Sequence, residues 1–186
     1  WIKKSSSEVD IENSCSALGT SPSSMDAYIG TFGKAVGTAG AFISGNKDLI
    51  EMIVQKGKAY IYSTALPRCI VDATRKSLRY LARYKTKLNM LHENIVYMNN
   101  ECKKKGLATN LSNVPIKSFL VANPDKVIDI RNDLLAQGIL VQAIRYPTVP
   151  HGTDRLRITL SSNHKKKDID KLLNSLENAN CEEFKR

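Results

Sequence analysis

The sequence predicts an α/β fold in two parts, and three observations carry that reading. Short apolar segments of strand length alternate with amphipathic segments of helix length. A long basic amphipathic stretch runs from Pro67 to Gly106, and the loops between segments are marked by Gly, Pro, Ser and Asn. Residues 1–24 are Ser-rich and poorly periodic, so an irregular segment is expected there. "MDAYIGTF" and "AGAFISG" are strand candidates on either side of a glycine-rich loop. A helix is expected from Asp48 to Lys56, with Asn46 or Asp48 near its start as a cap. The loop "YSTALP", 62–67, then leads into one long helix after Pro67, with Ile70, Thr74, Ser77 or Leu78, Leu81, Leu88, Leu91, Ile95 and Met98 at helical spacing. The break near 106–114 is the expected boundary between a region 25–106 and a second region 107–186. Beyond it, "IKSFLVA" (116–122) reads as a strand, 124–138 as a helix ending at a glycine, and "ILVQAI" (139–144) as a strand. "RLRITLS" follows the loop "RYPTVPHGTD" with alternating Leu156, Ile158 and Leu160, and a last helix is expected over 166–178, with Asn163 as its cap.

Composition excludes several classes. A hydrophobic share of 42% and a charged share of 25% are those of an ordinary globular domain. No apolar run approaches the roughly 20 residues that span a bilayer, so no membrane partner is expected. The chain begins "WIKKSSSEVD", without an initiator Met, a signal core or an Arg-rich presequence, which reads as a cut or processed end with no visible targeting information. Cys15, Cys69, Cys102 and Cys181 lie far apart and read as reduced thiols in a cytoplasmic protein, and His92, His151 and His164 lack ligand spacing, so no metal is expected. Cys69, Cys102 and Met90 read as packing residues. The net charge of +10 is concentrated between Pro67 and Gly106, where ten Lys or Arg face three acids. These residues occupy mostly the outer face of the expected helix, and aromatic interleaving is sparse, which favours a solvated surface over a nucleic-acid partner.

The stretch "YIGTFGKAVGTAGAFISG", 28–45, places one lysine, Lys34, among five glycines. A phosphate-binding P-loop is refused by spacing, since only two residues separate Gly30 from Gly33 and Ala35 follows Lys34. A dinucleotide fingerprint also fails, because Gly37 and Gly40 lack the preceding Gly-x-Gly. A lysine that must attack a carbonyl needs partial desolvation, which frees its lone pair. Small neighbours Gly33, Ala35 and Gly37 leave room for a planar cofactor, and the Thr31 hydroxyl suits a phosphate. That is what a pyridoxal phosphate lysine requires. A glycine-flanked lysine in a plain surface loop is the alternative.

"GTFGKAVGTAGAF", "YSTALP" and "QAIRYPTVPHGTDRLRITLSSNH" stand in the order and at the spacing of a known family. From about Met25 to Leu176 the chain resembles the α-oxoamine synthases, fold-type I pyridoxal phosphate enzymes of the class II aminotransferase group. The resemblance implies the C-terminal part of such a transferase: the end of the large domain plus a small α/β domain. It implies an enzyme joining an amino acid to an acyl thioester, on coenzyme A or a carrier protein, with loss of carbon dioxide. "RYPTVPHGTDRLRITLS" favours the branch that uses L-alanine and a pimeloyl thioester in biotin synthesis over the glycine acetyltransferase, aminolevulinate synthase and serine palmitoyltransferase branches. By the same resemblance Lys34 matches the lysine that binds pyridoxal 5'-phosphate and then acts as acid and base at the α-carbon. Thr31 matches the phosphate threonine, and Ser63 and Thr64 match the loop that reaches the neighbouring subunit's phosphate in a homodimer. Thr148 matches a substrate-contacting threonine, and Arg157 the arginine that holds the amino-acid carboxylate.

The residues leave alternatives open. Ser63 and Thr64 suit a helix cap, Thr148 a rigid loop between prolines, and Arg155 shares a strand face with Arg157. The family's ring-stacking His and pyridine-pairing Asp precede the lysine, but no His lies before Lys34, and Glu8, Asp10, Glu12 and Asp26 lack the matching context. Residues 1–24 do not read as family sequence. Activity from these 186 residues alone is therefore not expected, and a non-catalytic basic α/β fragment is the competing reading.

Overall fold

A computed structural model describes residues 25–83, 85–179 and 184; the irregular segment expected over 1–24 lies outside them. The chain divides into two compact units, one ending at Lys85 and the other running from Thr86 onward.

In the first unit, β1 (Ala27–Thr31) and β2 (Ala41–Gly45) form an antiparallel hairpin with Ala27 opposite Gly45 and Thr31 opposite Ala41. Helix α1 (Lys47–Lys56) starts at Asn46, whose side chain accepts from the Leu49 N–H at 2.8 Å, so the cap is Asn46 and not Asp48. The chain continues through the short α2 (Lys58–Ile61) to α3 (Arg68–Arg83). This unit has almost no interior: β2 is exposed at every position, α1 buries nothing, and Ile29, Met52 and Tyr62 are 68%, 56% and 81% exposed.

The second unit has a continuous core. Helix α4 (Lys85–Lys104) contributes Ile95, Met98 and Cys102. A three-stranded antiparallel sheet has the order β3 (Ile116–Leu120), β5 (Arg155–Thr159), β4 (Gln142–Ile144). The single long helix expected after Pro67 is thus described as α3 and α4, with Tyr84 outside the described residues, and the inward stripe fails at Leu81 and Leu88, which are exposed. Helix α5 (Pro124–Ala136) buries Val127, Ile130 and Leu134, and α6 (Lys166–Asn178) buries Ile169, Leu172, Leu173 and Leu176; both are single stripes of period 3.6. They join Phe119, Leu156 and Ile158 in one cluster, so the helices cover one face of the sheet. The other face carries Ser118, Leu120, Arg155, Arg157 and Thr159 and stays open to solvent or half-buried.

Local chemistry explains the altered boundaries. Asn123 caps α5 by accepting from the Asp125 and Lys126 N–H groups. Gly138, at φ 76°, donates to Leu135 and Ile139 to Leu134, a Schellman ending that spends residues 138–139, so β4 begins only at Gln142. The start of α6 is satisfied by Asp168, which accepts from the Lys165 N–H at 2.9 Å; Asn163, the expected cap, accepts from Lys87 Nζ at 3.2 Å. Cys102 is fully buried, as a packing residue should be, whereas Cys69 and Met90 are exposed. Burial pushes the Cys102 thiol up to about 11.

Phe119 is fully buried and meets Phe184 edge-on, with ring centroids 5.7 Å apart. Phe119→Ala is expected to destabilise the second unit by about 3–5 kcal/mol, read as a lower urea midpoint. A loss below about 1 kcal/mol would show that the core collapses into the space.

Candidate active site

Lys34 sits in the β1–β2 connection, and backbone hydrogen bonds fix that loop tightly. Phe32 N–H donates to Gly40 C=O, Thr38 N–H to Phe32 C=O and Gly37 N–H to Lys34 C=O, each at 2.9 Å. The last closes a four-residue turn that begins at the lysine. Gly37 and Gly40 have φ of 69° and 101°, which other residues rarely adopt, so these two glycines are demanded by the turn itself. A Cβ at Gly37 would meet nothing within 4 Å, and one at Gly33 only the Thr38 carbonyl oxygen at 3.6 Å. The space beside the lysine is open enough for a flat group to approach.

The Lys34 side chain is exposed, and among the described residues its amine has no hydrogen-bond or ion-pair partner. The partial desolvation expected of it is not supplied by these residues. Thr31, also exposed, ends β1 three residues earlier. In the same unit, the loop after α2 reaches the glycine-rich loop through Leu66, whose Cδ1 would lie 2.8 Å from a Cβ on Gly40. Ser63 Oγ donates to the Ala59 carbonyl, which ties it to α2 and not to the start of α3. Thr64 is exposed.

Thr148 and Arg157 belong to the second unit. Thr148 closes a turn by donating its N–H to Arg145 C=O at 2.9 Å, a turn that contains the cis Tyr146–Pro147 bond. Tyr146 and His151 stack across this loop with centroids 3.8 Å apart. On β5, Arg155 and Arg157 share the open face as the alternation predicts, but they are not equivalent. Arg155 Nε donates to Thr153 C=O at 2.8 Å, whereas Arg157 is exposed and has no such partner among the described residues. Strand register places Ser118 and Gln142 on either side of Arg157. That polar row was not singled out from the sequence, because only the pairing of three distant segments creates it.

These residues fit pyridoxal phosphate at two of its groups. A primary amine with open space beside it suits the aldehyde, and the hydroxyls of Thr31 and Thr64 suit the phosphate, whereas the Ser63 hydroxyl hydrogen is already given to the Ala59 carbonyl. Among the described residues, no cluster of three or more His, Cys, Asp or Glu is placed to hold a metal, and no helix is long and apolar enough to cross a membrane.

Comparison with known proteins matches residues 5–176 to the family model "Aminotransferase class I and II", a match that begins nearer the N-terminus than the motifs read from Met25. The chain is 42% identical over 148 residues to 8-amino-7-oxononanoate synthase of Nitrosococcus oceani and 36% identical over 160 residues to that of Thioalkalivibrio sulfidiphilus. These alignments cover 80% and 86% of this chain but only 39% and 41% of the relatives. Among solved structures, 8-amino-7-oxononanoate synthase from Francisella tularensis superposes with a TM-score of 0.71 at 31% identity, over 81% of this chain and 44% of that one. A serine palmitoyltransferase from S. paucimobilis, bound to a pyridoxal phosphate–myriocin aldimine, gives 0.75 at 25% identity, over 83% and 39%.

Proposed function

The chain belongs to the class I and II aminotransferase family, and from that premise we propose that it forms part of a pyridoxal phosphate-dependent 8-amino-7-oxononanoate synthase. The complete protein would join L-alanine to a pimeloyl thioester, on coenzyme A or a carrier protein, with loss of carbon dioxide, in biotin synthesis. The chain spans about two fifths of the length of the curated relatives it matches. The observation that carries the reading is Lys34, an amine without a partner among the described residues, on a loop held by three backbone hydrogen bonds.

In this reading each residue has a physical task. Lys34 would hold the cofactor through its aldehyde, and its Nζ would serve as the base that takes a proton from the substrate α-carbon and as the acid that returns one. When bound, the cofactor supplies an electron sink for the pair left at that carbon. Thr31, and in a homodimer Thr64 of the neighbouring copy, would donate hydroxyls to the phosphate, and Ser63 would join them by turning its hydroxyl away from the Ala59 carbonyl. Arg157 would hold the substrate carboxylate bidentately through its planar guanidinium. Thr148 contacts the substrate from the β4–β5 loop. The apolar side chains left bare on the first unit, such as Ile29 and Met52, would be covered by the portion of the relatives to which this chain has no counterpart.

The test is turnover by the complete protein with L-alanine and pimeloyl thioester, read as carbon dioxide release and formation of the oxoamine. Turnover only with serine and a long-chain acyl thioester would move the assignment to the palmitoyltransferase branch. Failure to retain any cofactor would leave the non-catalytic reading.

A further inference from the structure

Helix α3 turns two hydroxyls, one helical turn apart, toward the loop that carries Lys34. Ser77 Oγ donates to the Val36 carbonyl at 2.7 Å, and Thr74 Oγ1 lies 2.8 Å from Thr38 Oγ1. The direction of the second bond is fixed by a third. Thr74 also bonds the Ile70 carbonyl at 2.8 Å, and a carbonyl only accepts, so the single Thr74 hydroxyl hydrogen is spent there. Thr38 is therefore the donor, and a chain of donation runs from Thr38 through Thr74 to Ile70.

Thr74 is 9% exposed and is the one buried residue of α3. Spacing alone makes it a member of the helix's inward apolar stripe. A β-branched residue carrying a hydroxyl is a poor choice for that purpose, since it lowers helix propensity and buries a polar group that must be satisfied. The hydroxyl has a use only because the loop supplies its partner. The two anchored residues, Val36 and Thr38, flank Gly37, the point of greatest backbone freedom in the turn that starts at Lys34.

We propose that Thr74 and Ser77 are positioning residues, which hold the Lys34 turn in one register by fixing the loop on both sides of Gly37. Their consequence for cofactor binding rests on the reading of Lys34 as the cofactor lysine. The hydroxyls bond Val36, Thr38 and Ile70 and not the lysine, so each acts on it through the loop.

The test uses the complete protein and two readouts: hydrogen exchange at the Gly37 and Thr38 amides, and the dissociation constant for pyridoxal phosphate with borohydride trapping on Lys34. Thr74→Val keeps the shape and removes the hydroxyl, and Ser77→Ala removes the other without loss of helix propensity. The double variant is expected to speed exchange at both amides about tenfold and to weaken cofactor retention by a similar factor. Thr74→Ser, which keeps a hydroxyl, is expected to restore both. Unchanged exchange, unchanged retention despite faster exchange, or Thr74→Ser behaving like Thr74→Val would each overturn the proposal. Should Thr74→Val fail to fold, Ser77→Ala alone carries the same comparison. Wild-type protein that traps no cofactor, but still shows faster exchange in the variants, counts against the cofactor reading and in favour of the anchoring.

Discussion

Lys34→Ala is expected to remove borohydride-trappable cofactor from the complete protein and to lower turnover by about a thousandfold or more, because one group serves both as covalent anchor and as acid-base catalyst. The structure makes the result interpretable. Lys34 is exposed and partnerless among the described residues, and its turn is closed by backbone atoms that alanine also possesses. Replacing such a side chain changes stability by only about 0.5 kcal/mol. A variant that keeps the wild-type urea midpoint and loses the yellow cofactor isolates chemistry from folding. One that still traps cofactor at another lysine would remove Lys34 from its assigned role.

Arg157→Leu is expected to lower kcat/KM for the amino acid by about 10²–10³-fold, the loss of a bidentate charge-assisted contact. Most of the effect should fall on the carboxylate: the preference for alanine over its methyl ester should collapse in the variant. Arg157→Lys keeps the charge but not the planar fork, and an intermediate value is expected. Arg155→Leu is the control, since the Arg155 guanidinium is already engaged by the Thr153 carbonyl. If the two leucine variants lose the same amount, or if the methyl ester suffers as much as alanine, Arg157 does not hold the carboxylate.

What could be read from the sequence depended on whether a signal was local. The span of helix α6 was legible, because Ile169, Leu172, Leu173 and Leu176 repeat at helical spacing within one segment, but its start was not, since Asp168 and not Asn163 satisfies it. The Lys34 turn was legible for the same reason, since its glycines are neighbours in sequence. The two arginines of β5 could be placed on one face but not told apart, because what distinguishes them is one carbonyl in the preceding loop. Lys117 shows the opposite failure. Alternation with Phe119 puts it on the inward face, yet a lysine at such a position argues against burial. It is buried nonetheless, with Nζ donating to the carbonyls of Asn110 at 3.2 Å and Ser112 at 2.6 Å. Those acceptors come from the irregular stretch before β3, whose course no periodicity predicts. Thr74 and Ser77 were hidden in the same way, since their partners lie 36 and 41 residues away.

Cys102 gives the second unit a built-in stopwatch. Its thiol is fully enclosed and held up to about 11, so at neutral pH it is both unreachable and almost entirely in the unreactive protonated form. Cys69, on the exposed side of α3, has no such shelter. A pulse of alkylating reagent, followed by peptide mapping to separate these two sites from Cys15 and Cys181, should therefore mark Cys69 at once and Cys102 only as often as the core around Met98 and Phe119 comes apart, so the lag between them times the opening of that core.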